Sequence, residues 1–327
     1  MDAAILLKGI TKTFGRTTAV ENLDLIVPRG GLYGFIGPNG AGKTTTIRMI
    51  MSILFPDSGE LSVLGRSSAL EAKDRIGYLP EERGVYRKMR VGAFLTYMAR
   101  LKNVSDASLP GRVRRALDGV GLGDTERKRC EELSKGMLQK VQFVAAVIHE
   151  PDLLILDEPF SGLDPVSARL LRELILAQHR RGATILFSTH VMPQAEEICQ
   201  HVVMIHQGRK VLDEGLAGIR RRYNPRAIHL EPFDPGSDVS PVLAALEGVE
   251  RVDRIAGGYD ILLVEGTDPV VAIRRVAGAV APARIELSRP RLEDIFVEIV
   301  AEGTAPGDVA QKLRAELREN GAPAVTV

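Results

Sequence analysis

Two hydrophobic periods alternate along the chain. Leu23, Leu25 and Val27 alternate with Asp24 and Ile26 before Pro28 and a Gly30-Gly31 turn, the period-two pattern of a partly exposed strand. Residues 32–36 form a short apolar run that leads directly into a glycine-rich loop. Beyond the loop, Ile47, Ile50, Met51 and Leu54 recur at i, i+3, i+4 and i+7, which predicts an amphipathic helix ended by Pro56 and Gly59. The stretch 91–120 also reads as helical. Ser134 can cap a further helix that carries Met137, Val141, Val144, Ala145 and Ile148 on one face and closes at Pro151. Residues 153–156 are a continuous aliphatic run ending in Asp157-Glu158, the pattern of a strand buried on both faces of a parallel sheet. A helix follows with Asp164 as N-cap and Pro165 as first residue, ending near Gly182. Further strands are expected at 183–187 and 201–205. Strands and helices alternating in this way predict an α/β domain with a largely parallel core sheet.

The texture changes beyond about Arg222, where Asn224-Pro225 and the segment 232–241 punctuate the chain. Strands are expected at 227–231, 250–255, 260–264 and 284–287, with helices at 240–246 and 268–280 and a turn at Gly257-Gly258. That β-α-β-β-α-β order is the split βαβ, or ferredoxin-like, arrangement, a small α+β domain over 223–301. Leu292, Ile295, Phe296 and Ile299 mark one more amphipathic helix, and 302–327 is expected to be a mobile tail.

At 327 residues the chain has room for about two domains. Its 43 Lys and Arg against 42 Asp and Glu argue against holding nucleic acid or anionic lipid by bulk charge, and no specific nucleic acid is expected. The local basic clusters, such as 112–115 and 127–129, read as solvated faces balanced by nearby acids. Cys130 and Cys199 have neither disulfide-framework nor zinc-ligand spacing. The apolar stretches 141–148 and 270–283 fall short of the ~18 residues a spanning helix needs, the second being broken by Arg274 and Arg275. Met1-Asp2-Ala3-Ala4 lacks the basic start of a secretory signal, so a cytosolic protein is expected, with membrane contact through a partner left open.

The strongest chemical signal is Gly37-Pro38-Asn39-Gly40-Ala41-Gly42-Lys43-Thr44, which fits G-x-x-x-x-G-K-[ST] at every fixed position. Glycines let backbone N–H groups turn inward around phosphate oxygens, and the following helix adds its positive N-terminus. Lys43 would reach the β and γ phosphates, and the Thr44 hydroxyl would ligate Mg²⁺. At the end of the buried strand, Asp157 would hold that metal and Glu158 would act as general base toward the attacking water. Two acids at a strand end are ordinarily a solvated turn; the phosphate loop upstream favours chemistry.

Five ordered motifs now stand together: Gly37 to Thr44, Leu133-Ser134-Lys135-Gly136-Met137, Leu153 to Glu158, Ser161-Gly162-Leu163-Asp164, and Ser188-Thr189-His190. In order and wording they resemble the nucleotide-binding subunit of ABC transporters over roughly residues 5–215. The resemblance implies a P-loop ATPase cassette over 1–222, with a helical subdomain at about 85–150, that hydrolyses ATP with Mg²⁺. It implies that Phe14 stacks on adenine and that the loop through Thr45 binds the nucleotide. Ser134 and Gly136 would contact a γ-phosphate held by the opposite subunit, with Asp164 at the dimer interface and His190 sensing the γ-phosphate. Read from the residues alone, Phe14 could be core, Ser134 a plain N-cap and His190 a structural histidine. Lys135 and Met137 depart from the usual Leu-Ser-Gly-Gly-Gln, and Glu81 stands where the family usually has Gln; Glu81 keeps an oxygen for Mg²⁺ or water but loses the amide donor.

One loop and one signature in the chain imply a head-to-tail pair with two composite sites, the second subunit being expected to be another copy. The segments 81–86 and 290–296 look like those of ABC ATPases serving two-gene exporters of drugs, sodium or similar cargo. The implied partner is a separate multi-span membrane permease, with the ATPase peripheral on the cytoplasmic face of the cell membrane. Its docking surface is expected after Glu81, at Tyr86, Phe94, Leu95 and Tyr97, whose aromatics could equally be helix core. A soluble, non-transport ABC ATPase and a regulatory module that binds ATP without turnover are the alternatives.

Overall fold

The computed structural model describes residues 2–82, 84–222, 227–255, 257–288 and 291–302. Arg83, Pro290 and the part of the expected tail beyond residue 302 lie outside the described residues. Two long strands, β1 (Ala3–Phe14) and β2 (Thr17–Pro28), open the chain as an antiparallel hairpin. On β2 the side chains of Leu23, Leu25 and Val27 are buried while Ile26 is exposed, as the alternation predicts. Strand β3 (Leu32–Ile36), buried throughout, feeds the glycine loop, and α1 (Lys43–Ile50) leaves it. The helix stops short of Leu54 because Ser52 adopts left-handed backbone, φ 56°, which ends the ladder. Met51 and Leu54 still pack on the core from the turn that follows. Strand β4 (Ser58–Val63) pairs with the free edge of β1 and completes a three-stranded antiparallel sheet.

After β5 (Ile76–Leu79), the single helical stretch expected over 91–120 is two helices, α2 (Val91–Arg100) and α3 (Leu109–Gly119). The break falls where Asn103 takes φ 60°. With α4 (Lys135–Val147) they enclose a helical core around Phe94, Leu95, Val113, Leu117, Val141 and Val144. The chain then runs through β6 (Leu153–Asp157), α5 (Pro165–Arg180), β7 (Thr184–Thr189), α6 (Met192–Ile198), β8 (His201–His206) and β9 (Arg209–Gly215). These strands form a six-stranded sheet in the order β5-β6-β7-β3-β8-β9, parallel except for β9. The main core joins both sheets with α1: Ile5, Leu7, Leu23 and Leu25 meet Ile47, Ile50, Ile155 and Leu186.

The chain divides into two compact units, the second running from Ala217 to Glu298 and the first comprising the rest. The division falls at the start of α7 (Leu216–Arg222), a few residues before the expected boundary at Arg222. In the second unit the elements are β10 (Ala227–Pro232), α8 (Ser240–Ala244), β11 (Val249–Ile255), β12 (Gly258–Leu263), α9 (Pro269–Ala279), β13 (Pro282–Ser288) and the first seven residues of α10 (Leu292–Glu302). The sheet is antiparallel in the order β11-β12-β10-β13, which is the split βαβ connectivity. Its core packs Ile228, Leu230, Tyr259 and Ile261 against Leu243, Ala272 and Val276 of the helices.

Candidate nucleotide site

Strand register assembles the site. Leu79 pairs with Leu156, Asp157 with Ser188, and Ile36 with Thr189, so β5, β6, β7 and β3 end along one carboxyl edge. That edge is where ligands bind in open α/β sheets. It carries Glu81, Asp157 and Glu158, Ser188 to His190, and the loop that begins at Gly37.

The loop turns tightly enough to require glycine. Gly42 has φ 106°, and a Cβ there would lie 2.5 Å from the Ala19 carbonyl oxygen. Asn39 and Gly40 are exposed at the tip; Gly37, Ala41, Gly42 and Lys43 are buried, with Pro38, Thr44 and Thr45 half-buried. The Lys43 Nζ donates to the carbonyls of Gly37 at 2.8 Å and Pro38 at 3.1 Å, and lies 3.6 Å from Glu158 Oε1. Burial holds its pKa below the usual lysine value, opposed by the charges of Glu158 and Asp157.

Asp157 ends β6 with its carboxylate enclosed. Its Oδ1 accepts from Ser188 Oγ at 2.5 Å and Thr44 Oγ1 at 3.2 Å, while Oδ2 is buried with no hydrogen-bond partner among the described residues. Burial pushes its pKa up, and the two hydroxyls only partly offset that. Glu158 leaves the strand with φ 48°, a left-handed conformation that is costly for any residue but glycine. Ser188 pins that backbone by accepting from the Glu158 N–H at 3.0 Å, and the Glu158 carboxylate lies 3.0 Å from His190 Nδ1. Glu81 faces the same group, its pKa raised by burial and by the charges of Asp157 and Glu158. Three carboxylates thus crowd around a single lysine. Among the described residues no set of three His, Cys, Asp or Glu is arranged to hold a metal by itself.

Ser134, Gly136 and Asp164 form a second group at the N-termini of α4 and α5. Ser134 Oγ accepts from Met137 N at 3.3 Å. Asp164 accepts from the N–H groups of Val166 and Ser167 and from Ser167 Oγ at 2.7 Å, which lowers its pKa. None of the three is hydrogen-bonded to Lys43, Asp157 or Glu158 among the described residues. Phe14 stands at the end of β1, 48% exposed, with Lys12 Nζ 5.6 Å from its ring centre, and so is not core. Of the expected docking residues, Phe94 and Leu95 are helical core, whereas Tyr86 and Tyr97 are exposed and meet edge to face at 5.7 Å.

Sequence reasoning gave no role to Ser188, and it missed Gln139 and Gln142, which line a cleft with Glu81, Asp157, Glu158 and Ser161. The signal was available: two amides three residues apart on a helix whose other buried positions are apolar.

The ABC transporter family model matches residues 20–161. The ABC transporter ATP-binding protein YhaQ of Bacillus subtilis is 39% identical over 291 residues, which are 89% of this chain and 96% of that protein. The chain belongs to the ABC transporter ATP-binding proteins. As an ABC ATPase it binds and hydrolyses ATP. The Nod factor export ATP-binding protein I of Cupriavidus metallidurans is 32% identical, over 91% of this chain and 98% of its own. A solved ATP-binding subunit of an ABC transporter, 32% identical, superposes with a TM-score of 0.62 over 67% of this chain and 93% of that one. Among the described residues of this ABC ATPase, no helix is long and apolar enough to cross a membrane.

Proposed function

We propose that this ATPase energises export through a separate multi-span permease, working at the cytoplasmic face of the cell membrane as a head-to-tail pair of identical chains. The observation that carries the catalytic part is the Glu158 carboxylate, set 3.0 Å from His190 and 3.6 Å from Lys43 beside an Asp157 whose Oδ2 lacks a partner. Relatives named for bacitracin transport and Nod factor export each align with more than nine-tenths of the chain, which supports export. A regulatory module without turnover is disfavoured by the same assembled group.

The orphaned Asp157 oxygen, the Thr44 hydroxyl and the excess of carboxylates over cations fit Mg²⁺. Thr44, Asp157 and Glu81 would hold it, directly or through water, and nucleotide oxygens would complete the set. When bound, it supplies positive charge to the phosphate oxygens. The loop N–H groups and Lys43 cradle the β and γ phosphates, and Phe14 offers its exposed ring to the adenine. Glu158 accepts a proton from the attacking water as the new oxygen–phosphorus bond forms and the bond to the bridging oxygen breaks, releasing ADP. His190 donates toward the γ-phosphate and holds the Glu158 carboxylate.

Ser134 and Gly136 are not hydrogen-bonded to Lys43, Asp157 or Glu158 of their own chain among the described residues, and in the pair they close on the γ-phosphate of the partner, with Asp164 at the interface. ATP closes the pair because it binds the closed state more tightly, and loss of phosphate reopens it. The exposed Tyr86 and Tyr97 are the proposed contact with the permease. Glu158→Gln tests the scheme: ATP binding is retained, hydrolysis falls about a hundredfold or more, and an ATP-bound dimer accumulates on size exclusion. Turnover at the wild-type rate would remove Glu158 from its role.

A further inference from the structure

Helix α4 carries Ser134 and Gly136 at its N-terminus and Gln139 one turn further on. Gln139 is 7% exposed, and its Nε2 donates to the carbonyl of Pro159, the residue that follows Glu158. Its Oε1 is buried with no hydrogen-bond partner among the described residues. The side chain lines the cleft shared with Gln142, Glu81, Asp157, Glu158 and Ser161, in which the carboxylates are acceptors. A buried amide oxygen among acceptors is unfavourable, so the bond to Pro159 is what holds the side chain in place.

A second contact lies one turn away. A Cβ on Gly136 would sit 3.3 Å from Ser167 Oγ and 3.8 Å from Asp164 Oδ2, so the start of α4 rests on the start of α5. The signature helix therefore touches the segment 159–167 at two points, and Glu158 is the residue from which that segment departs. Glu158 is left-handed at φ 48°, and the residue that follows it is the one whose carbonyl Gln139 holds.

We propose that Gln139 is a positioning residue that ties the signature helix to Glu158, so that engagement of a phosphate by Ser134 and Gly136 at one composite site adjusts the base of the other. The inference rests on the head-to-tail reading, in which the signature serves the partner's nucleotide while Glu158 serves its own. It gives the two sites a physical link inside each chain.

Gln139→Met and Gln139→Leu both remove the donor while keeping most of the volume and adding no charge to the carboxylates of the cleft. ATP titrations of steady-state hydrolysis are expected to show kcat lowered about tenfold in both variants, with KM moved by less than about threefold. Binding of a fluorescent ATP analogue and the melting temperature are expected to stay at wild-type values. In a double-mutant cycle, the losses from Ser134→Ala and Gln139→Met overlap rather than multiply. A kcat within about twofold of wild type in Gln139→Met would assign Gln139 to packing and overturn the proposal. So would a rise in KM alone, multiplying effects in the cycle, or loss of folded protein in both variants. A wild-type protein that binds ATP but does not turn it over would instead defeat the reading beneath it.

Discussion

In the first unit β6 runs through four buried aliphatic residues and ends on a buried Asp157, whereas in the second β10 alternates Ile228 and Leu230 inward with His229 and Glu231 outward. The outward charges of the second sheet answer one another: His229 meets Asp260 at 2.9 Å, and Arg284 meets Glu286 at 2.9 Å and Glu231 at 3.6 Å. Among its described residues, no buried side-chain polar atom lacks a hydrogen bond. The first unit leaves several without one: His149 Nδ1 and Arg172 Nε on its helical side, and Asp157 Oδ2 and Gln139 Oε1 in the cleft where its motifs converge. A fold built for stability pairs what it buries. The two that line the cleft are the ones a ligand or a moving element can reach.

Removing the same kind of polar support in each unit should separate the two cases. Ser188→Ala deletes the hydroxyl that bonds both Asp157 Oδ1 and the Glu158 N–H. Losing a group that orients the carboxylate proposed to hold Mg²⁺ is expected to cost about 10–100-fold in Mg²⁺ dependence or hydrolysis, read by titrating the metal at fixed ATP. An unchanged profile would show that Asp157 is held by the strand alone.

The histidines offer a contrast of sign. His149, at the end of α4, accepts burial beside Lys102, and its pKa is pushed down to about 4 by desolvation and neighbouring cations. Between pH 6.5 and about 4 the unfolded chain takes up a proton there that the folded chain refuses. Stability is therefore lost as pH falls through that window, by up to about 1.4 kcal/mol per pH unit, and denaturant melts of His149→Gln should show a shallower acid loss.

His229 has its pKa raised, chiefly by the hydrogen bond to Asp260. Its contribution is fully present below the unfolded value and is lost as pH rises through the folded one. Because the pair lies near the surface, His229→Gln is expected to cost only about 0–1 kcal/mol at pH 6, fading at pH 8, as followed by urea melts. A large loss would mean that this face is buried in the working protein.

Much of the proposed phosphate site was legible because its parts are contiguous: loop, acid pair and strand ends each read from a few neighbouring residues. Both sheets of the first unit were only half visible. Residues 3–63 gave one strand by alternation, yet β1 and β4 owe their pairing to partners up to about sixty positions away, as Ile5 opposite Val63 shows. The helix boundaries at Ile50 and Arg100 turned on single left-handed residues, Ser52 and Asn103, that periodicity does not register. Gln139 was missed for the same reason: its partner, Pro159, is twenty residues on and reached only when α4 packs beside the segment after β6.

The left-handed backbone at Glu158 has an evolutionary side. At that position folding and the proposed turnover ask for different residues, since glycine would relax the φ of 48° by roughly 1–2 kcal/mol while removing the proposed base. Selection for robustness alone would drift toward a more stable and inactive chain. The strain at position 158 is thus coupled to the proposed role of its side chain, which makes it a poor target for stabilisation by glycine.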